Sequence, residues 1–259
     1  MIGRQLIRWL CVFALGCVII QRPTAAAEFD QTHAVFSNVL TRYVKDARVD
    51  YAALKAHPEE LNTYLDQLAS VSEAEFKSWP EKQQIAFLIN AYNAYTLKLI
   101  IDRYPVKSIR DIGWLLKGPW DQEMVRLFGK TTTLGTVEHK ILRVKYAEPR
   151  IHFAIVCAAL GCPPLRSEPY TAEKLDAQLD DQGRKFFSQK ENNSVDVAAR
   201  VIYLSPIFKW FSGDFEKKSG SVLKFVEPYF PESVQPELRK GGFRIKYTDY
   251  DWSLNEQQK

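Results

Sequence analysis

The sequence predicts an α+β fold, predominantly helical, in a single domain around a small central β-sheet. Three observations lead there. Long stretches such as "HPEELNTYLDQLASV" and "TAEKLDAQLDDQGRKFF" place apolar residues three and four apart, the spacing of amphipathic helices. Strand-like runs are few and short, as in "MVRLFGKTTTL" and "GFRIKY". No repeat period or low-complexity tract divides the chain, and the one linker-like stretch, "EKKSGS" at 216–221, is too short to separate domains.

The first segment reads as targeting. Arg4 and Arg8 precede the apolar run "WLCVFALGCVII", and Arg22, Pro23 and "TAAAEF" follow. That is the n-region, h-region and small-residue cleavage site of a secretory signal. The apolar run falls short of the ~20 residues a spanning helix needs. Small residues at Ala25 and Ala27 put cleavage after Ala27, so residues 1–27 are the expected signal peptide and 28–259 the domain. Two other readings of these residues are a retained amphipathic anchor and a lipoprotein with Cys17 acylated in "FALGC". The expectation is export, to the periplasm or the extracellular medium, with no transmembrane segment once the signal is gone. Residues 1–27 carry three arginines and no acid, so the formal charge of +4 falls to +1 for the remainder. A near-neutral domain has no electrostatic footprint for nucleic acid. There is no Gly-rich phosphate loop, and no cofactor is expected.

After the signal, "EFDQTHAVFSNVLTRYV" predicts a short amphipathic helix. "RVDYAALK" reads as an extended or turn segment. The next helix opens at Pro58 with acids beside it, and "SEAE" from Ser72 is a capping-box pattern. The most apolar helix is "EKQQIAFLINAYNAYTLKLIIDRY", which must end before Pro105. At about 100° per residue, Ile89, Asn93, Leu97 and Ile100 share one side, with Asn90 just beyond. Such a helix carries two amides into the core, where each needs hydrogen-bond partners. They either tie neighbouring loops to the core or belong to a site.

"MVRLFGKTTTL" predicts a hairpin turning near Gly129-Lys130, and Thr133 is the N-cap expected for the helix "LGTVEHKILR". Leu134, Val137, Ile141 and Leu142 form its apolar stripe, with Glu138 in the middle and His139 on the shoulder. A carboxylate there is costly unless paired or hydrogen-bonded. One account is a buried pair with Arg166 or Arg143; the other is a cleft in which Glu138 and His139 act as base and orienter. "IHFAIV", apolar on both faces, predicts a central strand, with His152 and Cys157 on opposite faces. "AALG" then turns, and Pro163-Pro164 ends regular structure. A helix capped by Thr171, a strand at "VIYL" leading into a short helix, a helix at "GSVLKFVEPYF" and a closing strand at "GFRIKYTDYDWSLN" complete the chain.

Cys11 and Cys17 leave with the signal, so Cys157 and Cys162 are the pair that remains. Outside the cytosol, two thiols in reach of each other oxidise. A Cys157–Cys162 disulfide closes a short loop and contributes roughly 2 kcal/mol at best. A catalytic thiol instead sits at a strand end, its thiolate favoured by a nearby histidine or exposed backbone amides; Cys157 fits that position, with His139 as base and Glu138 or Asn90 as orienter. Two cysteines and scattered histidines lack the paired spacing of a zinc site, so no metal is expected. The spacing is C-x-x-x-x-C, unlike the C-x-x-C of redox motifs.

Taken together, "FLINAYNAYTL", "VEHKILR", "RIHFAIVCAALGCPPLR", "YTAEKLDAQL" and "YDWSLN" resemble the family catalogued as domain of unknown function 547, from about 49 to 254. The resemblance implies that Asn90, Asn93, Glu138, His139, Arg143, His152, Cys157, Cys162, Pro163 and Arg166 belong to a common design. Two function classes stay open. One is a cysteine-dependent hydrolase or acyl-transferase-like enzyme with Cys157, His139, Glu138 and Asn90 catalytic, and Asn93, His152, Arg166 and Arg143 binding a small-molecule or peptide ligand. The other is a non-catalytic binding or scaffold domain held by the disulfide and a buried polar network.

Overall fold

The computed structural model describes residues 28–114 and 116–258. The expected signal peptide, with Cys11 and Cys17, lies outside the described residues. The fold is α+β and predominantly helical, and its strands form three small sheets in place of one central sheet. No described helix is long and apolar enough to cross a membrane.

The N-terminal half is a helical wrap around one long helix. α1 (Ala34–Tyr43) leads through a tight ribbon, β1 (Val44–Lys45) and β2 (Arg48–Val49), into α2 (Tyr51–Ala56). The "RVDYAALK" expectation therefore fails in its second half. Asp50 accepts a hydrogen bond from the Ala53 N–H at 2.9 Å, and this cap starts a helix that periodicity could not show in six residues. α3 (Glu59–Ser70) and α4 (Glu73–Ser78) follow, the latter capped by the Ser72 hydroxyl as its sequence predicts. α5 (Glu81–Arg103) is buried without interruption from Ile85 to Leu97. Only its ends and the Lys98–Asp102 edge reach water, so the hydrophobic gain falls on all sides of one element.

His33 closes the amino end of this half. It is buried, its Nδ1 lies 2.7 Å from the Tyr64 hydroxyl, and its Nε2 has no partner. Burial pulls its pKa down to about 4, against the pull of Asp30. A depressed histidine pKa gives stability that is complete above the unfolded value of 6.5 and lost as pH falls through about 4. The shift corresponds to about 3 kcal/mol. His33→Asn, which tolerates the left-handed backbone (φ 53°) at this position, is expected to flatten the stability-versus-pH curve across that window. Urea titrations at several pH values check it; an unchanged slope would assign the acid lability elsewhere.

Next, β3 (Val125–Leu127) and β4 (Lys130–Thr132) form the expected hairpin. Thr133 caps the following helix by accepting from the Thr136 N–H at 3.0 Å. That helix does not run regularly: over Val137–Leu142 it widens to a π-helical turn. The predicted "IHFAIV" strand is absent. Ile151–Ala154 is a single helical turn, and the chain then extends through 155–157 without a strand partner. An apolar run of six residues has no periodicity to separate the two states. Here the Phe153 N–H is taken by the Arg150 carbonyl and the Ile155 N–H by the Ile151 carbonyl, both 2.9 Å, leaving no ladder to form. The opposite-face placement of His152 and Cys157 falls with the strand.

Leu175–Ser188 is the next helix, beginning after Thr171, whose N–H is instead bound by the Gln178 side chain at 3.0 Å. β5 (Ser194–Asp196), β6 (Val201–Leu204) and β7 (Arg244–Tyr247) make a three-stranded sheet, antiparallel then parallel, with Ile202 opposite Ile245. Short helices at Ile207–Trp210, Ser212–Ser219 and Val222–Val226 pack on it. The buried side chains form two clusters: a large one around α5, and an aromatic one containing Phe153, Phe186, Phe208, Phe215 and Phe225.

Residues 250–257 bind the halves as a strap. Leu160 and Gly161 donate to the Ser253 and Asp251 carbonyls at 2.9 and 2.8 Å. Asn255 donates to Ala158, and Gln257 to Val49. Gly161 is required by this approach, since a Cβ there would stand 2.9 Å from the Asp251 nitrogen.

Candidate functional site

Between the two clusters, under the strap, lies a cleft of about 160 Å³. Its inner wall comes from α5, the π-helical turn and residues 152–163; its outer wall comes from 207–211 and the strap. The widened turn carries Glu138 to the inside of the cleft and His139 to its edge. π-Helical turns concentrate at functional sites because the extra residue re-aims the side chains.

Glu138 is 6 % exposed. Its Oε2 accepts from the Tyr92 hydroxyl at 3.1 Å, and the Tyr92 oxygen in turn accepts from Trp120 Nε1–H at 2.9 Å. The expected arginine partner is absent. Arg143 is engaged by Asp214, at 2.6 and 3.1 Å, and Arg166 by Glu168 and Asp181. Burial pushes the Glu138 carboxyl up to about 7, although the Tyr92 hydrogen bond and the Arg143 charge pull it down. It is a carboxylic acid that changes state near neutrality.

His139 is not held as a base for Cys157. Its Nδ1 accepts from Arg143 at 3.1 Å, which fixes the neutral tautomer with the proton on Nε2. Burial and Arg143 lower its pKa, so its 3.9 Å approach to Glu138 joins a neutral ring to the acid. His152 is buried, donates from Nε2 to Asp214 at 2.8 Å, and stacks on Phe211 at 4.0 Å. Burial works against the Asp214 carboxylate, but the hydrogen bonds from His152 and Arg143 outweigh it and hold its pKa well below the usual range. His139, Arg143, Asp214 and His152 are thus one chain of contacts along the cleft. The Arg143 guanidinium lies 4.8 Å from the Phe211 ring centroid and does not line the cleft itself.

Cys157 and Cys162 line the cleft with their sulfurs at disulfide distance and their α-carbons 6.2 Å apart. The Cys157 sulfur is 3.0 Å from the Tyr250 hydroxyl. Ala158 has φ 56°, the left-handed turn that brings the chain back toward Cys162. Asn90 and Asn93 do not line the cleft. Asn90 clasps the Tyr170 backbone, donating to its carbonyl at 2.7 Å and accepting from its N–H at 2.9 Å. Asn93 does the same across Ala154 and Val156, at 2.9 and 3.0 Å. Arg166 braces the loop after Pro164 against the 175–188 helix, away from the cleft. The Asn90 amide is thus engaged by backbone and the Arg166 guanidinium by carboxylates, both outside the lining of this cleft.

The cleft also contains residues that sequence reasoning passed over. Tyr92, Trp120, Trp210, Phe211, Tyr250 and Trp252 line it, and Asp214 organises its histidine. Of these, Tyr92 sits in the quoted "FLINAYNAYTL" motif and Tyr250 and Trp252 in "YDWSLN", the signals that could have found them. Among the described residues no group of three or more His, Cys, Asp or Glu side chains is placed to hold a metal ion.

A family model described as "Protein of unknown function, DUF547" matches residues 76–187. The match covers the core of the chain and contains every polar position assigned to the common design, but it is shorter than the 49–254 span expected from the motifs. Trp210, Tyr250 and Trp252 of the outer wall lie beyond it. Among curated proteins and among solved structures nothing matches the chain.

Proposed function

We propose that the DUF547 core at residues 76–187 and the strap together build a cysteine-dependent hydrolase or acyl-transferase site, with Cys157 as nucleophile and Glu138 as base. One observation carries the reading: a buried carboxyl that titrates near neutrality faces the cavity that Cys157 lines. An ordinary thiol has a pKa of about 8.5, so passing its proton to an ordinary glutamate costs about 5 kcal/mol. Passing it to Glu138 costs about 2 kcal/mol.

In this reading an external dithiol first reduces the Cys157–Cys162 pair, becoming a disulfide itself. Glu138 then takes the Cys157 proton, the sulfur bonds to the acyl carbon, and Glu138 returns the proton to the departing group. Water or another acceptor next takes the acyl group from sulfur, losing its proton to Glu138 and restoring the thiol. Tyr250 is placed to hold the sulfur by a hydrogen bond. Glu138 has the role first given to His139 because the His139 Nδ1 lone pair is occupied by Arg143. We also propose export to the periplasm or the medium, on the pattern of residues 1–27.

The backbone clasps made by Asn90 and Asn93 favour a second reading, a non-catalytic binding domain in which the Cys157–Cys162 bridge and the polar network hold the loops. Intact mass after brief iodoacetamide treatment of the folded protein, with and without mild reduction, separates the two. The enzyme reading expects one fast alkylation after reduction, abolished by Cys157→Ser. If the reduced, folded protein takes no label, or takes it only on unfolding, Cys157 is no nucleophile and the binding-domain reading stands.

A further inference from the structure

We infer that the ligand of this cleft is a small organic cation, an amine or quaternary ammonium, whose charged head sits among Trp120, Trp210 and Trp252 beside Glu138. The inference concerns the cleft described above and names its ligand class, but it needs no chemistry at Cys157.

The first ground is a carboxyl without a cation. Among the described residues, no lysine or arginine comes within ion-pair range of Glu138, and the neutral ring of His139 is its sole near neighbour of that kind, at 3.9 Å. No lysine or arginine lines the cleft at all, so an anionic ligand would meet Glu138 with only the charge of Arg143, outside the lining, to offset it. Arg143 cannot swing in without abandoning Asp214 and His139.

Aromatic geometry is the second ground. Ring faces carry partial negative charge and attract cations, most strongly in tryptophan. The Trp120 ring is fixed by its N–H bond to Tyr92. Trp252 meets it edge-on with centroids 6.0 Å apart, and meets Trp210 at the same distance but nearly parallel. Tyr250 closes the group at 4.6 Å from Trp252. One face of Trp252 already takes a cation, since the Arg110 guanidinium lies 5.3 Å from its centroid. Trp210 stays 48 % exposed, so part of its ring is open to a ligand. Phe211 already has His152 stacked on it at 4.0 Å and the Arg143 guanidinium 4.8 Å from its centroid.

Size agrees. A single water needs roughly 10–15 Å³ by this kind of measure, and the cleft has about 160 Å³. A trimethylammonium head fits. A neutral apolar ligand would satisfy the rings but leave the carboxyl as costly as before.

The test uses choline and its uncharged carbon isostere, 3,3-dimethylbutan-1-ol, titrated into the protein at about pH 8 and followed by tryptophan fluorescence and calorimetry. Choline is expected to bind at least ~10-fold more tightly than the isostere. Glu138→Gln is expected to cut the preference to the part the rings supply, and Trp210→Leu, at a half-exposed position, to weaken choline by ~5-fold or more. Equal affinity for the two probes, or no binding of choline at tens of millimolar, overturns the inference. The same titration on Cys157→Ser keeps the two proposals apart: a preserved preference there, with failed alkylation in the parent, removes the enzyme reading alone.

Discussion

Glu138→Gln is expected to stabilise the protein at alkaline pH while removing the acid–base group of the proposed site. The carboxyl's pKa is raised by burial from 4.5 to about 7 in the fold. A raised pKa means that the folded state holds the proton more tightly than the unfolded one. Its contribution is therefore complete below about 4.5 and is lost as pH climbs through about 7. The loss corresponds to about 3 kcal/mol. Glutamine has no proton to lose, and its side-chain oxygen can still accept from Tyr92. Measured by urea unfolding, the gap between variant and parent is expected to widen by about 3 kcal/mol from about pH 4.5 to about pH 8. In the reduced parent, the pH profile of Cys157 alkylation is expected to carry an inflection near 7, which the variant lacks. A gap that stays constant with pH would mean that Glu138 ionises in the fold as freely as in water.

The larger loss of stability is expected at Asn93. Its amide serves two backbone groups of the segment that delivers Cys157, the Ala154 carbonyl and the Val156 N–H. Both are buried, and the segment has no sheet partner to replace the amide. Leucine fills a similar volume but leaves both groups unsatisfied, at about 1–3 kcal/mol each. Asn93→Leu is thus expected to cost about 2–6 kcal/mol in urea unfolding. Amide exchange is expected to quicken most at Val156, the residue whose N–H loses its acceptor. A cost below about 1 kcal/mol would mean that water takes over the amide's place.

Much of the helical half is legible in the sequence because α3 and the 175–188 helix repeat their apolar residues over three turns or more. α5 is legible by length and by Pro105. Short elements are not. Residues 151–154 have too few positions for periodicity to act, and the carbonyl at their end is held by Asn93, more than fifty residues away. Glu138 was visible as a charge within an apolar stripe, and the amides of α5 as polar groups in an apolar helix. Their destinations were not, since Glu138 met a tyrosine in place of an arginine and the amides met backbone. The aromatic wall stayed hidden for a different reason. Trp210 and Trp252 look like ordinary core residues in sequence, and nothing local says that a cleft stops short of burying them.

Timing follows from the strap. Protein synthesis runs from the amino end, so Cys157 and Cys162 emerge long before residues 250–257 that roof them. Until the roof arrives, the two sulfurs stand open to any oxidant or thiol they meet. Their pairing is thereby exposed to control in the newborn chain, whereas in the finished protein Cys157 borders the cleft walled by Trp210, Tyr250 and Trp252, and Cys162 borders both that cleft and a second cavity beside Arg48 and Asp251. The history of a molecule, as much as its surroundings when it is assayed, then sets the state in which its cysteines are found.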